Sequence, residues 1–115
     1  MSRQEDRVWV EAVSYEDLPV NTGKTIRYQG EEAALFKLSS GRLRAIQNRC
    51  PHKDGVLAEG IVAGENVFCP MHDRKIHLPS GLVQAPDTGC VATYETKIQD
   101  GIVFIAFPKA EELAS

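Results

Sequence analysis

The stretch that decides the fold is Asn48-Arg49-Cys50-Pro51-His52-Lys53, read together with Phe68-Cys69-Pro70-Met71-His72. Each segment offers one thiol and one imidazole, Cys50 with His52 and Cys69 with His72, and sixteen residues lie between His52 and Cys69. Both segments follow an apolar or β-branched stretch and sit where a strand pattern gives way to loop. Pro51 and Pro70 fix φ and remove one backbone N–H each. They stiffen the loops and leave the neighbouring N–H groups to point at whatever the thiolates hold.

Outward from these loops the chain reads as short strands broken by Gly, Pro, Asn and Asp. Strands are expected at 8–13, 24–28, 33–38, 43–47, 67–69, 91–98 and 102–107. The segment 15–23 reads as a loop, and Gln29-Gly30 and Ser39-Ser40-Gly41 as turns. Asp100-Gly101 suits a type I′ hairpin turn, in which both central φ angles are positive, and Pro108 should stop the sheet. The tail 109–115 is expected to form a turn of helix or to fray. No internal repeat and no long 3.6-residue periodicity is present, so an all-β sandwich or barrel is expected.

At 115 residues the chain has the length of one domain. That domain spans 1–115, with its metal-binding loops at about 48–55 and 69–76. Its net charge of −3 and the lack of any long basic stretch argue against nucleic acid or an anionic membrane as partner. The longest apolar run, 102–107, is far shorter than a membrane span. The opening Met-Ser-Arg-Gln-Glu-Asp-Arg has no apolar core of a signal peptide, so a cytoplasmic location is expected. Three cysteines without an export signal point to metal binding or a buried thiol more than to a disulfide scaffold. With no Ser-His-Asp set, phosphate-binding loop or dinucleotide fingerprint, no catalytic residue is assigned.

Two loops facing each other like jaws suit a two-iron, two-sulfide cluster, one iron taking Cys50 and Cys69 and the other His52 and His72. With neutral imidazoles the oxidised cluster carries no net charge. An all-cysteine cluster would be more negative and harder to reduce, so a mixed set has the higher potential, roughly −150 to +300 mV. Reduction should also raise the pKa of the two imidazoles, coupling electron to proton at high pH. The same four residues can instead bind tetrahedral zinc in an interaction domain. Structural zinc sites usually pair cysteine with cysteine and histidine with histidine, whereas both pairs here are mixed.

In these residues the chain resembles the Rieske 2Fe–2S ferredoxin family, over about 8–107. Leu57, Gly60, Gly81 and Pro86 extend the match. The resemblance implies a Rieske-type antiparallel β-sandwich with a small cluster-binding subdomain, a 2Fe–2S cofactor on Cys50, His52, Cys69 and His72, and electron transfer to a redox partner. Gly81 and Pro86 correspond to a turn and a proline loop that cover the cluster.

Within the family the chain is most similar to the small subunit of assimilatory NAD(P)H-dependent nitrite reductase. The shared features are its short length, Gly60-Ile61-Val62, Lys75-Ile76-His77-Leu78 and Gly89-Cys90-Val91. That implies a large subunit with flavin, a 4Fe–4S cluster and sirohaem, which reduces nitrite to ammonium and holds the catalytic site. Some small subunits of this kind lack the ligands; this chain keeps all four. The other partner to be expected is the oxygenase served by a Rieske ferredoxin in an aromatic-ring dioxygenase.

High-potential members carry an extra disulfide, and Ser and Tyr hydroxyls that bond the cluster sulfurs. Here Lys53-Asp54-Gly55 and Met71 stand in place of the cysteines, and Arg74 and Ile76 in place of the hydroxyls. The implied potential is therefore at the low end of the range.

Among the remaining residues, Cys90 reads as a buried inert thiol and His77 as a solvent-facing strand residue. Trp9, Phe36, Phe68, Phe104 and Phe107 read as core. The pairs Glu31-Glu32 and Glu111-Glu112 read as solvated surface. Lys53, Arg74 and Lys75 form a cationic rim suited to an acidic partner, and Met71 can shield the cluster or simply pack.

Overall fold

In the computed structural model the chain is described over residues 7–28, 30–49, 56–69, 75–84 and 89–108. Ten strands are present there: β1 (Arg7–Ser14), β2 (Gly23–Tyr28), β3 (Glu31–Lys37), β4 (Leu43–Gln47), β5 (Ile61–Ala63), β6 (Asn66–Phe68), β7 (Lys75–His77), β8 (Thr93–Tyr94), β9 (Thr96–Gln99) and β10 (Ile102–Pro108). Two single 3-10 turns, Tyr15–Asp17 and Leu57–Glu59, complete them. No α-helix occurs among the described residues, as expected. None of the described helical segments is long and apolar enough to cross a membrane.

The strands form three antiparallel sheets, ordered β1-β10-β9, β2-β3-β4-β8 and β5-β6-β7. The middle sheet is buried on both sides, and β3 shows why. Its sequence Ala33-Ala34-Leu35-Phe36 is apolar without alternation, the mark of a strand covered on both faces. Ala33 and Leu35 face one core with Ile26, Ala45, Val103, Ile105 and Phe107, under the sheet of β1, β10 and β9. Ala34 and Phe36 face the other with Ile46, Leu57, Val62, Val67, Cys69 and Ile76, under the sheet of β5, β6 and β7. The first two sheets are the sandwich, and the third is the small added layer.

The predicted hairpin is present. Asp100 and Gly101 have φ of 54° and 79°, and β9 pairs β10 directly across them. A Cβ at Gly101 meets open space, so Gly101→Ala is penalised by backbone conformation alone. It is expected to lower stability by about 1–2 kcal/mol, read from chemical denaturation.

Several expectations are corrected. The single strand expected at 91–98 is two. Thr93 and Tyr94 pair with β4, Thr96–Gln99 pair with β10, and Glu95 is where the chain changes sheet. The strand β5 was not foreseen. Pro108 ends β10 from inside it, opposite Arg7.

Trp9 is not core. β1 alternates, so Val10 packs inward while Trp9 is 40% exposed on the opposite face. There the Lys97 ammonium covers its ring at 4.4 Å and that of Phe104 at 5.6 Å. Phe104 and Phe68 are half-buried, and only Phe36 and Phe107 are fully buried.

Glu31 and Glu32 are half-buried and bonded. Glu31 accepts from the Tyr94 hydroxyl at 3.0 Å, and Glu32 accepts from Arg27 at 2.9 Å. Burial, then the hydrogen bond to the Glu31 carboxylate and its charge, push the Tyr94 phenol above its ordinary range. A raised pKa favours the neutral phenol in the folded state. Its contribution is present below the ordinary tyrosine pKa of about 10 and is lost as pH rises through the folded value. Tyr94→Phe should therefore lower stability at pH 7 by about 0.5–1.5 kcal/mol. It should also flatten the decline above pH 10, which is checked by melting at stepped alkaline pH.

Candidate metal centre

Of the four predicted ligands the structure describes Cys69, which follows directly on β6. Val67 points into the core beneath the added layer, Phe68 is half-buried, and Cys69 is again fully buried in that core with Phe36, Leu57 and Ile76. Cys50, His52 and His72 lie outside the described residues, as do Lys53, Met71, Arg74 and Pro86. Among the described residues no group of three His, Cys, Asp or Glu side chains comes together. Fit is therefore judged from Cys69 and from the ends of the two loops.

Those ends converge. The second loop is a hairpin loop, since Phe68 before it pairs with Lys75 after it. The first loop leaves β4 at Asn48 and re-enters structure at the turn Leu57–Glu59, whose Leu57 is fully buried. Gly60 follows. A Cβ there would collide with the Phe68 carbonyl and touch Val67, so the exit of the first loop is pressed against the residue preceding Cys69. Ile61 then pairs with Phe68. The sequence thus brings the exit of the first loop beside the entry of the second, with a buried thiol at that point. A soft, deprotonatable donor sheltered from water in that place fits an iron–sulfur cluster.

A third segment flanks β7. Gln84 N–H donates to the Lys75 carbonyl at 2.8 Å, and Ile76 bridges Val83. Gly81, with φ +77°, allows the turn, and its bare Cα lets the Val91 carbonyl approach. His77 is half-buried, its Nδ1 at 2.9 Å from the Ser80 hydroxyl, so it serves this turn. Lys75 is exposed at the loop end, with Phe68 beneath it. Cys90 is an exposed free thiol, contrary to its reading as buried. Alternation sends Val91 inward at 6% exposure and leaves Cys90 outside, in a bridge with Leu82.

Asn48, which opens the first ligand stretch and carries no expected role, stands out. It is 6% exposed, the buried polar residue of the described core. Its Oδ1 accepts from the Ala58 N–H at 2.8 Å, and its Nδ2 donates to Thr25 Oγ1 at 3.0 Å and Glu32 Oε1 at 3.3 Å. Its own N–H donates to the Glu32 carbonyl at 3.0 Å. The Glu32 carboxyl is held below the usual range chiefly by its bond from Arg27. A small polar residue directly before a ligand loop was the available signal.

A cavity of about 730 Å³ opens beside the junction of β8 and β9. Among the described residues its lining contains neither cysteine nor histidine. Its two arginines face acids, Arg7 with Glu95 at 2.7 Å and Arg44 with Glu65 at 3.8 Å.

Comparison with known proteins shows the family. Residues 8–95 match the model of the Rieske [2Fe-2S] domain. The chain is 34% identical over 102 residues to the 4beta-methylsterol monooxygenase of Methylococcus capsulatus. That match covers 79% of this chain and 27% of the relative, so the chain spans about a quarter of that protein. It is 30% identical over 98 residues to the ferredoxin component of the naphthalene 1,2-dioxygenase system of Pseudomonas putida, covering 84% of this chain and 93% of the relative. Among solved structures it superposes on a protein assigned as the small subunit of an NADH-dependent nitrite reductase from Mycobacterium tuberculosis. The TM-score is 0.83 at 25% identity, over 90% of this chain and 97% of that one. With a match over most of its length and a buried cysteine at the meeting point of two loops, the chain belongs to the Rieske [2Fe-2S] domain family, electron-transfer domains whose cofactor is a 2Fe–2S cluster.

Proposed function

We propose that Cys50, His52, Cys69 and His72 hold the cluster, within a single domain spanning 1–115, and that the chain is the electron-carrying small subunit of an NAD(P)H-dependent nitrite reductase in the cytoplasm. Nitrite would be reduced to ammonium in a large subunit carrying flavin, a 4Fe–4S cluster and sirohaem, as one step of nitrate assimilation. The observation that supports this reading is the superposition on the protein assigned as a nitrite reductase small subunit, which covers 90% of this chain and 97% of that one. When bound, the cluster stores one electron at a time. The chain's own residues hold the ligands in place, bury Cys69 from water and present exposed Lys75 beside the second loop, where it can orient an acidic partner.

A second reading, a soluble ferredoxin serving a ring-hydroxylating dioxygenase, is favoured by the 30% identity to the naphthalene system ferredoxin over 93% of its length. Copurification separates the two. A stable complex that oxidises NAD(P)H only when nitrite is added supports the first, and a free monomer that feeds a terminal oxygenase supports the second. Spectroscopy tests the ligand set. The protein should be red-brown and give a rhombic Rieske signal in electron paramagnetic resonance after dithionite. A colourless protein that resists anaerobic iron–sulfur reconstitution would favour zinc.

His52→Cys should abolish the Rieske signal and lower the potential, from roughly −150 mV at the low end of the Rieske range toward the −400 mV of all-cysteine ferredoxins. Redox titration of wild type and variant checks this.

A further inference from the structure

We infer that Asn48 is the positioning residue of the cluster site, clamping both ends of the first ligand loop through the Ala58 N–H and thereby setting its span toward Cys69; this rests on the ligand assignment proposed above. Asn48 is the last residue held by the β3–β4 ladder, through its N–H on the Glu32 carbonyl. Ala58 lies ten positions further along, and the bond between them closes the loop carrying Cys50 and His52.

The Asn48 amide has two donor hydrogens and an acceptor oxygen, and each is engaged by a different element: Thr25 on β2, Glu32 on β3 and Ala58 in the turn. A buried amide satisfied on three sides has one orientation available to it. The restraint continues from Ala58. Gly23 at the start of β2 has no room for a Cβ against the Ala58 backbone, and Gly60 has none against the Phe68 carbonyl. A contiguous path of tight contacts therefore runs from Asn48 through the turn to the residue before Cys69. The apolar core on the other face of β3 contains neither Asn48 nor Ala58.

The experiment compares wild type, Asn48→Ala and Asn48→Asp, the last combined with Glu32→Gln, in the full chain after anaerobic reconstitution. Cluster loss to excess chelator is followed by visible absorbance, at a temperature where each cluster-free chain is folded by far-ultraviolet circular dichroism. Residues that orient metal ligands typically change affinity about 10- to 100-fold when removed, and cluster loss from Asn48→Ala is expected to be faster by that order. Asn48→Asp keeps the acceptor for Ala58 but sets a second carboxylate against Glu32, so it is combined with Glu32→Gln, and that double variant should lose the cluster distinctly more slowly than Asn48→Ala.

The second measurement is amide hydrogen exchange at Ala58 in the wild type, which does not depend on any variant folding. Protection is expected with and without the cluster. An unprotected Ala58 amide in the folded chain overturns the inference. So does cluster loss from Asn48→Ala at the wild-type rate, which leaves the ligand assignment standing. A wild type that takes up no cluster overturns the ligand assignment, and the inference with it.

Discussion

A Cys69→Ala chain is expected to take up no 2Fe–2S cluster and to keep its sheets. The side chain is fully buried beside Phe36, Leu57, Val67 and Ile76. Its loss leaves a small void in an otherwise apolar core, at a cost of about 1 kcal/mol. Its loss as a ligand has no substitute, because the other described cysteine, Cys90, is exposed in a bridge with Leu82. The measurement pairs electron paramagnetic resonance after reconstitution with far-ultraviolet circular dichroism. Signal should disappear while the β spectrum stays. Cys90→Ala is the matched control and should leave both unchanged. A Cys69→Ala protein that still shows the Rieske signal would remove Cys69 from the ligand set.

The second large effect separates the two cores. Phe36→Ala should cost about 3–5 kcal/mol and Leu35→Ala about 2–5 kcal/mol, both in the range for emptying a packed site. The two residues are adjacent on β3, and each is fully buried. They face opposite layers, Phe36 the core that includes Cys69 and Leu35 the core of the sandwich. At a temperature where both variants remain folded, Phe36→Ala should release the cluster faster than Leu35→Ala does at equal loss of global stability. Denaturant melts and chelator-driven bleaching on the same samples test this. Equal bleaching rates would mean that the two cores do not act separately.

Much of this architecture was legible in the sequence because the physics there is local. Asp100-Gly101 announces a hairpin by needing two positive φ angles, and Ala33-Ala34-Leu35-Phe36 announces a strand by its apolar run. The ligand candidates stood out because thiol and imidazole recur at a spacing that few other chemistries need. What was missed depends on contacts distant in sequence. The break at Glu95 is invisible in 91–98, because each half is a fair strand and only the partner strands differ. β5 is three residues long with Ile61 73% exposed, too short for a pattern to register. Trp9 and Cys90 were assigned by residue type, and alternation along the backbone overruled type. Asn48 looks like an ordinary turn former until Thr25, Glu32 and Ala58 are seen around it.

The pairing of β4 with β8 has a consequence for how the chain is spent. Ala45 lies opposite Tyr94 and Ile46 opposite Thr93, and the Gln47 N–H donates to the Ala92 carbonyl at 2.8 Å. All of the third sheet and both ligand loops therefore belong to one excursion that leaves and rejoins the middle sheet at neighbouring points. Closing such a loop grows costlier only slowly with its length, by about 0.6 kcal/mol per doubling. The excursion is not held by its root alone, since Phe36, Leu38 and Ile46 of the middle sheet share one buried core with Leu57, Val67 and Ile76. For a domain whose cofactor is a bulky inorganic group, the segment that carries the ligand loops can therefore differ in length at little cost to the frame it leaves and rejoins.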